Sequence, residues 1–351
     1  MEKAKKLISA LLLVCMVAFP FGGCSSAESG STSQSTSSAG ESASAAAGST
    51  GSASYGQKKV AFIATDMSLT YASWLSSSLK TLNSKYPNIT IDYFDGKAST
   101  GTQLQIMETC VTKGYDYIIL HPQDPDAEAD TVKDIIDNGT PVMMINQSDG
   151  GVKEASNVNC DPVAYGEMIA KVANDMLPAG KKSTYNVVVL LGPSGNSHSI
   201  GRRKGYENVL FSKRKDIKIL GEQICDWDKS KGMEKMEDWL QTYKDIDAVI
   251  SMNDGMALGA LEAAKDAGRD KEMFFFGVDG LADSIISMKQ GGLTATVQQS
   301  AYTQASQGME IIDKVFKGEE KFEKVNTDPV LITKDNMDKF YQYYQSIGLI
   351  K

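Results

Sequence analysis

Short, mostly apolar runs return along this chain at intervals that each leave room for one helix. Lys59 to Ala64 (KVAFIA), Ile89 to Phe94, Tyr117 to Leu120 and Val142 to Ile145 alternate with stretches of helical character at 71–85, 102–113 and 127–138. Runs of four to six apolar residues are too short for buried helices and read as strands covered on both faces. Strands spaced by helices build βαβ units, and such units demand a parallel sheet. Gly139-Thr140-Pro141 stops one helix before its strand, as Gly past a helix end and Pro beyond it should. The rhythm restarts with a helix at 165–176 and continues through strands at 186–191, 217–223, 248–251, 274–278 and 295–298. Helices are expected between them at about 202–211, 232–243, 256–267 and 283–290. The fold class expected is α/β, with two doubly wound parallel-sheet lobes. In open parallel sheets ligands sit beyond the carboxyl ends of the strands, so the loops there hold the candidates.

The front of the chain has a different character. Lys3, Lys5 and Lys6 precede the apolar run 7–21, the layout of a secretory signal. That run ends in Phe21-Gly22-Gly23-Cys24, which resembles the bacterial lipobox and implies lipidation of Cys24 after removal of residues 1–23. From Ser25 to about Gln57 the chain is Ser, Ala, Gly and Thr with scattered Glu, too poor in apolar side chains to repay ordering. A flexible tether with a reach of roughly 30 Å is expected there. Lipid plus tether points to an extracytoplasmic protein anchored to the outer face of the cell membrane, with a Gram-positive exterior favoured over a periplasm.

Composition removes several function classes. Lys and Arg total 36 against 44 Asp and Glu, a formal charge of -8, which argues against nucleic-acid binding. The five cysteines lack zinc spacing, and two histidines leave little room for imidazole-based metal or acid–base chemistry. No metal, cofactor or catalytic residue is expected. Cys110, Cys160 and Cys225 form no complete disulfide framework, and Cys110 and Cys225 read as small buried hydrophobes.

The loops after the strands carry polar recognition groups. GPSGNSHSIGRRKG (192–205) is Gly-rich but lacks the P-loop and GxGxxG patterns, so Arg202, read as standing in a first helical turn, is a candidate to fork hydrogen bonds to a ligand. Cys225-Asp226-Trp227-Asp228 offers an indole face suited to stacking on the C–H side of a sugar ring. Asn253-Asp254-Gly255 and Gly277-Val278-Asp279-Gly280 each join a strand to a helix. Asp254 is read as the helix cap, leaving Asn253 and Asp279 for vicinal hydroxyls. Of Gln298 and Gln299, one should face the cleft.

In this order the loops resemble those of the ribose-binding and related sugar-binding proteins of ABC importers, the type I periplasmic-binding fold. The resemblance runs from Lys59 to about Lys339 and rests on YIILHPQDPDA (117–127), SMNDGMALGALEAAKDAG (251–268), FFGVDG (275–280) and LTATVQQ (293–299). It implies two lobes joined by a three-stranded hinge, with lobes at 58–160 plus 299–325 and at 161–298 plus 326–351. It also implies ligand contacts from Arg202, Trp227, Asn253, Asp279 and the hinge residue Gln299. In the first lobe the pattern departs: Leu69-Thr70-Tyr71-Ala72 stands where the family has an Asn-Pro-Phe-Phe type loop, and Asn146-Gln147 replaces an Asp-Arg pair. Tyr71 is favoured over Trp74 as the stacking ring. Without the charged pair, the ligand expected is a small neutral sugar, cyclitol or other polyol rather than ribose itself.

Three functions compete at this stage. One is a monomeric lipid-anchored receptor that hands its solute to an ABC permease by hinge closure. Another is a sensory receptor that presents a bound sugar, nucleoside or signalling molecule to a membrane kinase or chemoreceptor. The third, an exported glycosidase using Asp226 or Asp228 with Asp279, ranks last.

Overall fold

The computed structural model describes residues 55–351, and within them the two-lobe plan is present. The signal segment, Cys24 and the tether as far as residue 54 lie outside the described residues. The first sheet contains β1 (Lys58–Ala64), β2 (Ile89–Asp95), β3 (Tyr117–Leu120), β4 (Val142–Ile145), β5 (Ser156–Cys160) and β11 (Lys324–Thr327), in the order β11-β5-β4-β3-β1-β2. All its pairings are parallel. The second sheet contains β6 (Tyr185–Leu191), β7 (Ile217–Ile224), β8 (Ala248–Ser251), β9 (Phe274–Asp279), β10 (Ala295–Gln298) and β12 (Val330–Ile332), in the order β12-β10-β9-β8-β6-β7. Only β12, at the edge, pairs antiparallel.

The apolar runs are continuous because each strand feeds two cores. Val60, Phe62 and Ala64 of β1, Tyr117 and Ile119 of β3, and Met143 and Ile145 of β4 pack on one face, against α1 (Thr70–Asn83) and α9 (Ala301–Lys317). Ala61, Ile63, Ile118, Leu120, Val142 and Met144 take the opposite face, against α2 (Thr100–Thr112) and α3 (Pro125–Asp137). Side chains alternate with period two, so a run apolar at every position is what a sheet covered on both faces requires. The second lobe repeats the plan with α4 (Pro162–Met176), α5 (Ser197–Tyr206), α6 (Lys229–Thr242), α7 (Asp254–Asp266), α8 (Ala282–Lys289) and α10 (Met337–Ser346). Among the described residues no helix is long and apolar enough to cross a membrane.

Three segments pass between the lobes: Cys160 to Pro162, Gln298 to Ala301 and Thr327 to Val330. The lobe boundary expected at 325/326 falls inside β11, whose pairing with β5 holds the chain in the first sheet through Thr327; the crossing is made by Asp328-Pro329. Pro lacks the N–H that a ladder would need, which suits a passage between sheets. The crossings are tied together. Thr327 Oγ1 donates to Asn159 O at 3.1 Å, and Cys160 Sγ donates to Gln299 Oε1 at 3.0 Å.

Glu128 on α3 breaks the usual burial pattern. It is fully buried and neither carboxyl oxygen has a hydrogen-bond partner. Burial pushes its pKa from 4.5 up to about 8. A carboxyl with a raised folded pKa takes up its proton more readily in the folded state. Its contribution is therefore fully present below pH 4.5 and lost as pH rises through about 8. Glu128→Gln should remove a loss of up to ~4 kcal/mol between pH 5 and pH 9. Urea unfolding at both pH values checks this; equal pH slopes in variant and wild type would exclude the effect.

Candidate functional site

The loops at the carboxyl ends of both sheets face one another across a cleft of about 500 Å³, part of it open to solvent. Tyr71, Asn146, Gln147, Arg202, Trp227, Asn253, Asp279 and Gln299 all line it, together with Thr65, Leu69, Thr70, Ala72, His121, Asn196 and His198.

Arg202 stands at its centre, 2 % exposed. It lies mid-helix rather than in the first turn. Asn196 starts α5 by accepting at Oδ1 from the N–H groups of His198 and Ser199, six residues before Arg202. A polar Gly-rich stretch with no apolar periodicity hides that early start. Gly166 on α4 lets α5 approach, since a Cβ there would come within 2.3 Å of the Arg202 carbonyl oxygen. The guanidinium donates through Nη1 to Met252 O and through Nη2 to Gln299 Oε1 at 2.8 Å and His198 Nδ1 at 3.3 Å. It lies 5.4 Å from the centroid of the Trp227 ring, a cation–π distance.

Gln299 carries this contact across the hinge. Its Nε2 donates to Asn146 Oδ1 at 2.7 Å, and Asn146 Nδ2 meets His121 Nε2 at 3.1 Å. A second link between the lobes runs from Ser197 Oγ to Gln147 Oε1 at 2.7 Å. A third is apolar: Trp74 of α1 meets Tyr344 of α10 edge to face at 6.1 Å. Trp74 is thus an interlobe contact, while Tyr71 lines the cleft and donates from its hydroxyl to Gln304 Oε1 at 3.0 Å.

Burial pushes the Asp279 carboxyl well above the usual carboxylate range, with the Arg202 charge pulling the other way. Asn146, Trp227 and Asp279 have φ of 62°, 64° and 129°, three of the six non-Gly residues with positive φ among those described. Such backbone costs roughly 1–3 kcal/mol per residue and persists where surroundings over-determine it. Here all three positions line the same cleft.

Residues 60–320 match the family described as periplasmic binding protein domain. The chain belongs to the periplasmic binding protein family. It is 32% identical over 294 residues to the xylitol-binding protein of Mycolicibacterium smegmatis, spanning 82% of this chain and 80% of that one. Against the ribose import binding protein of Bacillus subtilis it is 33% identical over 236 residues, 67% of this chain and 74% of that one. The Caulobacter myo-inositol binding protein, solved with myo-inositol, superposes with a TM-score of 0.74 at 26% identity, covering 80% and 95% of the two chains. A solute binding protein from Bacillus halodurans C-125 with bound myo-inositol gives 0.76 at 24% identity, covering 84% and 100%. The two α/β lobes are the type I periplasmic-binding fold.

The cap of α7 also differs from the one expected in this periplasmic binding protein. Asn253, not Asp254, caps α7, accepting at Oδ1 from Met256 N at 2.9 Å. Its Nδ2 donates to Trp227 O at 3.1 Å, so the amide expected to meet ligand hydroxyls also braces the indole loop. Asp254 is buried beneath, accepting from Leu281 N and Thr296 Oγ1. The carboxylates flanking Trp227 turn elsewhere: Asp226 pairs with Lys231, and Asp228 caps α6.

Both histidines line the cleft, and neither was a sequence candidate. His121 directly follows β3, the kind of position that singled out Asn253 after β8, so the signal was present. Burial lowers the His121 pKa to about 4; burial and then the Arg202 charge hold His198 well below 6.5. Both rings are neutral hydrogen-bonding groups. Cys160, read only as an unpaired thiol, lies buried against Gln299.

Proposed function

We propose that this chain captures a small neutral sugar or polyol between its lobes and delivers it to an ABC permease by hinge closure. The observation that carries the reading is the cleft itself. Both lobes contribute to it, and a hydrogen-bonded line from Arg202 through Gln299 to Asn146 crosses the hinge at its base. Contacts made from both lobes stabilise the closed state more than the open one, and that difference drives closure. The first-lobe lining, with Thr65, Tyr71, His121, Asn146 and Gln147, carries amides, hydroxyls and a neutral ring, which suits an uncharged polyhydroxylated solute. Relatives named for xylitol and ribose agree with that chemistry.

Binding without turnover is part of the proposal. Most glycoside hydrolysis uses two carboxyl groups flanking the bond, and only Asp279 of the three weighed lines the cleft. The protein acts as a monomer, held to the outer face of the membrane by a lipid on Cys24.

A thermal-shift screen of the purified chain against pentoses, hexoses, cyclitols, linear polyols and nucleosides tests this. At a hundredfold excess over Kd a ligand adds about 2.7 kcal/mol, a rise of roughly 4 °C for a body of this size. A rise with one sugar or polyol class is expected. A rise confined to nucleosides would overturn the solute class.

A further inference from the structure

We infer that His121 is a specificity-determining donor of the first lobe, locked by the hinge as its Nδ1–H tautomer so that Nδ1 hydrogen-bonds an acceptor oxygen of the bound solute. This rests on the solute-binding reading above and adds to it a residue and a direction of hydrogen bonding.

The direction follows from one group that can only donate. The Arg202 guanidinium has no acceptor, so the Gln299 atom it meets at 2.8 Å is Oε1. Gln299 then has only Nε2 to offer Asn146, and donates to its Oδ1 at 2.7 Å. That leaves the amide nitrogen of Asn146 facing His121 Nε2 at 3.1 Å. An amide nitrogen donates, so Nε2 must present its lone pair and the ring proton resides on Nδ1. His121 Nδ1 is buried and has no partner within the protein, although the ring lines the cleft. A buried N–H without an acceptor carries a desolvation penalty, which a ligand oxygen would relieve.

Neighbouring first-lobe groups are already engaged. Asn146 is held at both amide atoms, Gln147 Oε1 accepts from Ser197, and the Tyr71 hydroxyl donates to Gln304. The same argument fixes His198 the other way. Its Nδ1 accepts from Arg202, so its proton resides on Nε2, 3.2 Å from Asn159 Oδ1.

The chain has two histidines, so 15N-histidine labelling of the full-length protein gives two resolvable rings. At pH 7 without ligand, multiple-bond 1H–15N spectra should report Nδ1–H for one ring and Nε2–H for the other, with His121→Gln removing the former. Two Nε2–H rings would overturn the inference. Affinity supplies the second arm, using calorimetry with xylitol, ribose and myo-inositol. Glutamine can keep an acceptor near the Nε2 position but loses the Nδ1 donor, whereas asparagine can place its amide nitrogen near Nδ1 and loses the Asn146 contact. His121→Asn should therefore bind at least tenfold tighter than His121→Gln. The reverse order, or equal affinities, would mean that the ring serves only to brace Asn146 and would overturn the inference. Should the wild type bind none of the three probes, the sugar and polyol reading fails for them, and the tautomer decides this inference by itself.

Discussion

Arg202→Ala is expected to lower folding stability by roughly 2–4 kcal/mol and to weaken solute affinity by more than a hundredfold. The sequence placed this residue in a first helical turn, where truncation would cost one or two decades of affinity and leave the lobe intact. Its actual position changes the expectation. At 2 % exposure its removal leaves the Met252 carbonyl without its donor, Gln299 Oε1 with only the Cys160 thiol, and the buried Asp279 without its opposing charge. Each orphaned group carries a desolvation penalty that water cannot relieve. Gln299 would also lose the contact that sets which way its amide faces. Arg202→Lys should fall between, because an ammonium keeps the charge without the fork. Urea unfolding alongside calorimetry separates the two effects; an alanine variant as stable as the wild type would show that the guanidinium does not hold the hinge together.

A second large effect is expected from one added methyl group. Gly192 directly follows β6, and a Cβ there would lie 2.2 Å from Trp227 Cη2 and Cζ2 and 2.3 Å from Ser199 Oγ. None of these separations is tolerable, so the Gly192→Ala variant must displace the indole. The ring is only partly buried and can yield, which keeps the overpacking cost near ~1–3 kcal/mol. Displacement removes the flat wall proposed to stack on the solute, and affinity should fall roughly tenfold or more. Calorimetry reads the affinity, and near-ultraviolet circular dichroism reports the indole environment. Unchanged affinity with a shifted indole signal would take Trp227 out of the wall.

How far the site was legible follows from where each residue stands. Asn253, Asp279 and Gln299 were readable because each ends an apolar strand or stands within two residues of its end, and the end of a parallel strand marks a position in space. Trp227 was readable as an indole set among carboxylates in the loop after β7. The start of α5 was not, because Ser-Gly-Asn-Ser-His-Ser has no apolar stripe; what begins that helix is the Asn196 side chain satisfying two free N–H groups. The polar strand β5, Ser-Asn-Val-Asn-Cys, escaped the apolar pattern too. Asn157 Nδ2 instead donates to the carbonyls of Met144 and Gln147, fixing the loop that presents the first-lobe amides.

The roles of single side chains depended on partners far away in the chain. Asn253 and Asp254 are adjacent and both can cap a helix, and the choice fell to Asn253 because Asp254 is drawn beneath it by Thr296 and Leu281. His121 acquires its tautomer from Asn146, Gln299 and Arg202, the last 81 positions further along the chain.

Local pattern determined the parallel sheets, the two cores of the first lobe and the rim of strand ends, because hydrophobic periodicity and short connections act over a few residues and leave few ways to bury them. Tertiary structure alone decided the direction of each hydrogen bond, the charge balance of Asp279 and the closure of the lobes on one another. Those depend on desolvation and on distances between groups far apart in the chain, and no local pattern encodes them.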